Sequence, residues 1–191
     1  FDGYTNYNYP EVYTENDLQA VINAAEDNIE TVIYLGKDIE LTRTLNIPLH
    51  KVITLDLNGK QITTTFAEGS TTNHIYAIDN KGTLKIKADK NGEGKITARG
   101  IFNYGKMTLE SGTIDACDGN GGYGVRNYKG AEFVMNGGSI VTSNEDDHQV
   151  DKGGYDATTL RVDEGATATI NGGTINNICD YTFAIENYGT T

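Results

Sequence analysis

The chain repeats itself, and no other feature limits its possible folds as strongly. Four stretches share one pattern: Ile78-Asp79-Asn80-Lys81-Gly82, Ile101-Phe102-Asn103-Tyr104-Gly105, Val125-Arg126-Asn127-Tyr128-Lys129-Gly130 and Ile185-Glu186-Asn187-Tyr188-Gly189. A fifth, Leu160-Arg161-Val162-Asp163-Glu164-Gly165, puts Val162 in the Asn slot. The slots are separated by 103 − 80 = 23, 127 − 103 = 24, 162 − 127 = 35 and 187 − 162 = 25 residues. A second motif runs in phase with the first. It spans Leu109 to Ile114, Met135 to Ile140 and Ile170 to Ile175, with an earlier copy from Leu57 to Ile62.

A period of about 24 residues, built of short alternating apolar runs divided by Gly and Asn, describes stacked coils. One coil cannot bury its own apolar face, so successive coils supply one another's core. Each strand pairs with the coils above and below, about 4.8 Å away. A side-chain amide recurring at one turn slot predicts an amide ladder up the stack. An open β-sandwich would hold no such register, and the Leu-x-x-Leu-x-Leu pattern of leucine-rich repeats is missing. Coils are expected over 29–50, 51–73, 74–98, 99–122, 123–157 and 158–181, with a last one starting at Thr182.

The N-terminal part reads differently. Thr14 and Asp17 form a capping-box pattern, and Leu18, Val21, Ile22 and Ala25 follow at helical spacing. A helix over about 15–26 is expected to cover the first coil, as a solenoid end requires. Residues 1–28 are thus an extension and cap, and 29–191 one domain of repeats. No polar cap follows the last coil, so either the stack continues or another chain covers that edge.

Composition narrows the function. The formal charge of −12 argues against binding nucleic acid through its phosphates. It would also repel an anionic polysaccharide unless cations bridge the two. No run approaches the 18 apolar residues of a membrane span. The two cysteines give no disulfide framework; Cys117 and Cys179 lie two coil steps apart and are expected to stay free. The chain begins at Phe1 without Met and reads as a mature or excised segment of a longer, exported protein.

Residues 15–191 resemble the right-handed parallel β-helix of the pectate-lyase-like superfamily, and in particular the Gly/Asn/Thr-rich repeats of bacterial cell-surface proteins. The residues that carry this are Leu18-Gln-Ala-Val-Ile22, the strand Val52 to Lys60, and the Gly-Thr-Leu and Asn-Gly-Gly-Thr-Ile repeats. The resemblance implies an all-β solenoid of about five to six coils with a short N-terminal helix, placed outside the cell or on its surface. Proteins of this kind include adhesins, carbohydrate-binding modules, and lyases or hydrolases of polysaccharides. Fold alone does not choose among them.

Catalysis would need carboxylates side by side on an outward column. The column Asp79, Phe102, Arg126, Arg161, Glu186 has its carboxylates at opposite ends, and Lys87, Glu110, Asn136, Asn171 has one. His50, His74 and His148 fall in different coils without a nucleophile beside them. For metal, Glu145, Asp146 and Asp147 sit in the insertion that lengthens one coil, and their oxygens suit Ca²⁺. Asp115, Asp118 and Asn120 form a second, weaker group.

The aromatics are the strongest lead. Tyr104, Tyr128 and Tyr188 each follow a slot Asn, and Phe102 and Arg126 lie in the outward column. Rings one coil apart would match the advance of an extended glycan, and aromatic faces bind the apolar faces of sugars. The competing reading is that tyrosine stacks on tyrosine to brace the turn. The expected function is a non-catalytic binding or adhesion module for a polysaccharide or cell-surface glycan. A polysaccharide lyase or glycoside hydrolase, and a structural stalk, are the alternatives.

Overall fold

The computed structural model describes residues 10–71, 73–116, 122–143, 158–178 and 183–191. Cys117, Cys179 and the Glu145, Asp146, Asp147 group lie outside the described residues, as do Asp118 and Asn120. The chain winds into a right-handed parallel β-helix of six coils with one short helix at its start.

Each coil holds three strands. The first coil is β2 (Glu30–Leu35), β3 (Ile39–Leu41) and β4 (Leu45–Ile47), and the second is β5 (Val52–Asp56), β6 (Gln61–Thr64) and β7 (Ile78–Asn80). The third is β8 (Thr83–Lys87), β9 (Lys95–Ala98) and β10 (Gly100–Asn103), and the fourth is β11 (Lys106–Leu109), β12 (Thr113–Ala116) and β13 (Tyr123–Asn127). The fifth is β14 (Glu132–Met135), β15 (Ser139–Thr142) and β16 (Thr158–Val162), and the sixth is β17 (Thr167–Ile170), β18 (Thr174–Asn177) and β19 (Ile185–Asn187). Equivalent strands pair in parallel into three sheets, β2-β5-β8-β11-β14-β17, β3-β6-β9-β12-β15-β18 and β4-β7-β10-β13-β16-β19. A two-residue strand, β1 (Glu11–Val12), extends the first sheet beside β2.

The pleat sends alternate residues inward, and the register stacks like on like. In the second sheet Ile39, Ile62, Ile96, Ile114, Ile140 and Ile175 form one column of isoleucines. In the third sheet Leu45, Ile78, Ile101, Val125, Leu160 and Ile185 do the same. Cutting one of the buried members to Ala would cost about 2–5 kcal/mol. Both columns lose cover at the sixth coil, where Ile175 is half-buried and Ile185 exposed, and Ile170 and Phe183 of the same coil are exposed as well.

The asparagine ladder is present. Asn80, Asn103 and Asn127 are fully buried. The Asn80 amide donates to Asn103 Oδ1 (2.8 Å), and the Asn103 amide donates to Asn127 Oδ1 (2.6 Å). Each also donates across the turn to a backbone carbonyl, of Lys106, Glu132 and Thr167 in order. Apolar Ile47 and Val162 occupy the slot on either side. A second, exposed ladder runs from Asn171 to Asn136 to Glu110.

Glycine is required where coils close on one another at the turn between the third and first sheets. A Cβ at Gly82 would lie 2.5 Å from the carbonyl oxygens of Pro48 and Lys51, and one at Gly105 would collide with the Gly82 carbonyl.

Helix α1 (Glu15–Ala24) seals the first coil. Thr14 caps it by accepting from the Asp17 amide (3.1 Å). Its apolar face places Leu18 and Ile22 in the core. It ends two residues earlier than periodicity predicts, because Ala25, though buried, is already extended at ψ 141°. The helix also supplies what β4 lacks on its open edge. Gln19 donates to the Asn46 carbonyl (3.0 Å) and accepts from the Asn46 amide (2.9 Å), standing in for a strand. Glu15 accepts from the Thr42 amide (2.7 Å) in the same manner.

The coil divisions need one correction. The second coil is long as well: its slot residue, Asn80, pairs with Ile47, 80 − 47 = 33 positions earlier. The excess lies between β6 and β7, where Phe66 and His74 form an antiparallel bridge and their rings lie 4.4 Å apart.

Candidate ligand-binding face

The outer face of the third sheet gathers most of the aromatic and guanidinium side chains of interest. Its central column is the expected one: Asp79, Phe102, Arg126, Arg161 and Glu186 are register partners on successive coils. The turn column beside it is equally regular. Lys81, Tyr104, Tyr128, Asp163 and Tyr188 each donate their backbone amide to the slot residue of the preceding coil.

Phe102, Tyr104 and Tyr128 meet in one cluster, and Tyr76 joins it. Tyr76 packs on Phe102 at 3.8 Å between centroids with planes tilted by 34°, Phe102 meets Tyr128 edge-on at 5.3 Å, and Tyr104 stacks on Tyr128 at 4.3 Å with planes 17° apart. In the Tyr104–Tyr128 pair, rings one coil apart lie face to face. The Arg126 guanidinium lies over Tyr128 at 4.4 Å. Tyr128 is therefore sandwiched between Tyr104 and Arg126. Burial, then the hydrogen bond with Tyr104, pushes its phenol well above the usual tyrosine range.

Tyr188 does not join this stack, because Asp163 takes the turn position in the coil between. The coupling runs through charge instead. Asp163 accepts from Arg126 Nε (3.1 Å) and Arg161 Nε (2.7 Å), Arg161 Nη1 donates to Glu186 (2.9 Å), and the Tyr188 hydroxyl donates to Glu186 (2.8 Å). Arg161 lies over the Tyr188 ring at 5.1 Å. This half of the face sets Arg126 and Arg161 against Asp163 and Glu186, beside a shallow depression of about 590 Å³ that a third carboxylate, Glu164, also helps to line. Asp79, at the aromatic end, has its carboxyl held above the ordinary range by burial, against the pull of Lys81.

Tyr76, Tyr123 and Arg161 belong to this face and were not among the expected ligand-binding residues. Arg126 also lies over Tyr123, at 5.2 Å. Tyr76 and Tyr123 stand just ahead of Ile78 and Val125, so the repeat carried their signal. Extra residue Gly124 shifts Tyr123 out of simple alignment with the third coil.

The other candidates are engaged elsewhere. Asp115 is buried, ion-paired with Lys95 (2.6 Å) and accepting from Ser143 (2.7 Å). Among the described residues no group of three metal-ligating side chains comes together, and no helix is long and apolar enough to cross a membrane. No family model, curated protein or solved structure matches this chain.

Proposed function

We propose that this chain is a non-catalytic binding module of an exported bacterial surface protein, a β-helix of the pectate-lyase-like kind, and that its ligand is a polysaccharide or cell-surface glycan. The observation that carries the reading is the contiguous cluster of Tyr76, Phe102, Tyr104 and Tyr128, partly open to solvent on one regular sheet face. Aromatic rings supply contact area at low ordering cost. The neighbouring Arg126, Arg161, Asp163 and Glu186 supply fixed donors and acceptors of the kind that hold sugar hydroxyls. Their mutual ion pairs favour binding over chemistry, since Asp163 and Glu186 are both committed to arginine.

A glycan array read together with a reducing-end assay tests this. The expected result is retention of a defined glycan class without new reducing ends. Release of products would replace the reading with a hydrolase or lyase, and retention of no glycan would leave a stalk or a protein-binding adhesin.

A further inference from the structure

The stack of rings on the turn column has one open end. Tyr128 covers one face of Tyr104, from the following coil. On the side of the preceding coils lies a cavity of about 300 Å³, which Tyr104 helps to line. That volume is at the lower end of the range for small-molecule sites, roughly 300–1,000 Å³. Its charged lining is cationic: Lys51, Lys81 and Lys106 all border it, and no carboxylate is among the described residues that do. This is unexpected in a chain of net charge −12. Lys51 pairs with Asp27 (2.7 Å) and Lys106 with Glu132 (3.0 Å). Lys81 is exposed and forms no ion pair among the described residues.

Two further features mark the place as built. Asn28 and His50 both border it, and both hold left-handed backbone, with φ 62° and 70°. They are tied together by a hydrogen bond from the Asn28 amide to the His50 carbonyl (2.7 Å). Leu49, beside them on the rim, is 65% exposed. The cavity thus offers an aromatic face, a small apolar rim and several cations within one sugar-sized volume.

We infer that this cavity is a subsite for an anionic sugar unit, with the ring stacked on the open face of Tyr104 and its carboxylate or sulfate held by Lys81 with Lys51 and Lys106 beside it. The inference rests on the glycan-binding reading and narrows it to acidic glycans. The net negative charge does not forbid this. At physiological ionic strength charges are screened beyond about 8 Å, so the local lysines govern a group seated among them.

The test uses the full chain and three soluble polymers: an uncharged β-glucan, a polyuronate and a sulfated, otherwise neutral glucan. Binding is measured by calorimetry at low and at high salt. One or both anionic polymers are expected to bind about tenfold more tightly than the neutral one at low salt, the scale of a hydrogen bond to a charged group. The preference between them identifies the anion. Lys81→Glu is expected to remove that advantage and leave neutral-polymer binding unchanged, with Lys81→Gln between. Lys81 is exposed, so both variants should fold, which far-UV circular dichroism checks. Equal affinity for neutral and anionic polymers, or a Lys81→Glu chain that keeps its preference, overturns the subsite and leaves the glycan reading standing. A chain that binds none of the three polymers overturns both.

Discussion

Replacing Asn103 with Leu tests the register at its centre. The Asn103 side chain is fully buried and makes three hydrogen bonds: it accepts from Asn80 (2.8 Å) and donates to Asn127 Oδ1 (2.6 Å) and to the Glu132 carbonyl (2.9 Å). Leucine answers none of them. Asn80 keeps its bond to the Lys106 carbonyl but loses a partner for its second amide proton, and Asn127 Oδ1 loses its donor. The Glu132 carbonyl loses a donor too. Two buried side-chain groups stranded at about 1–3 kcal/mol each, offset in part by the apolar gain of Leu, set the loss at about 2–4 kcal/mol. At about 2–4 °C per kcal/mol for a chain of this size, the melting temperature should fall by about 4–16 °C.

Urea unfolding followed by far-UV circular dichroism reads this directly, with the slope unchanged and the midpoint lowered. The internal comparison is the triple change of Asn80, Asn103 and Asn127 to Val. The slot already accepts Ile47 and Val162 at the ladder ends, and removing all three amides together leaves no stranded side-chain group, though the carbonyls of Lys106, Glu132 and Thr167 lose one donor each. The triple change should therefore cost less than three times the single one. A single Asn103→Leu chain within about 0.5 kcal/mol of the parent, the scatter of surface substitutions, would refute the ladder as a stabilising element.

Other outcomes follow from the same geometry. Tyr104→Ala should weaken glycan binding by about 1–2 kcal/mol in calorimetry. Tyr128→Ala should weaken it less, because both faces of that ring are already covered. Gly105→Ala should lower the urea midpoint by the equivalent of about 2–3 kcal/mol, since the added methyl meets a backbone carbonyl and the coils must part. Asp79→Asn should alter the pH profile of stability. Burial raises the Asp79 carboxyl above its unfolded value, so the folded state keeps the proton longer and parent stability falls as pH rises through that window. The variant lacks that decline, so its melting temperature should gain on the parent at neutral pH and not below the unfolded carboxylate range.

What the sequence disclosed, it disclosed by self-similarity. The Asn slot and the isoleucine of the second sheet recur because parallel coils put each residue against its own equivalent, and a position that must satisfy itself favours one chemistry. The first coil was harder to set, because Ile47 fills the slot without an amide and a segment is inserted before β7. The edge cap by Gln19 left no trace in periodicity, since its partner is the backbone of β4. At the ligand face the turn tyrosines were legible one by one. That two of them would consume each other's faces, and that Arg126 would close the stack, depended on ring orientation, which register does not specify. The lysine-lined cavity was hidden for a simpler reason: its walls come from several turns between 28 and 106, each ordinary by itself.

A solenoid that repeats one aromatic per coil at a fixed pitch satisfies that aromatic with its neighbour, since the coil spacing is close to the thickness of a stacked ring. Perfect repetition therefore builds stability and hides the ring faces. Recognition requires a break in the column, where a face is left without its equivalent. Here the turn column reads Lys81, Tyr104, Tyr128, Asp163, Tyr188, and it breaks twice. At Asp163 the missing ring is replaced by a carboxylate that draws in two arginines and closes the gap. At Lys81 the missing ring leaves a cavity that Tyr104 helps to line together with Lys51, Lys81 and Lys106. The two breaks differ in chemistry: at Asp163 the charges pair across the column, and at Lys81 one lysine has no ion pair among the described residues. The departure from the repeat at Lys81, rather than the repeat itself, is where a ligand gains most from this surface.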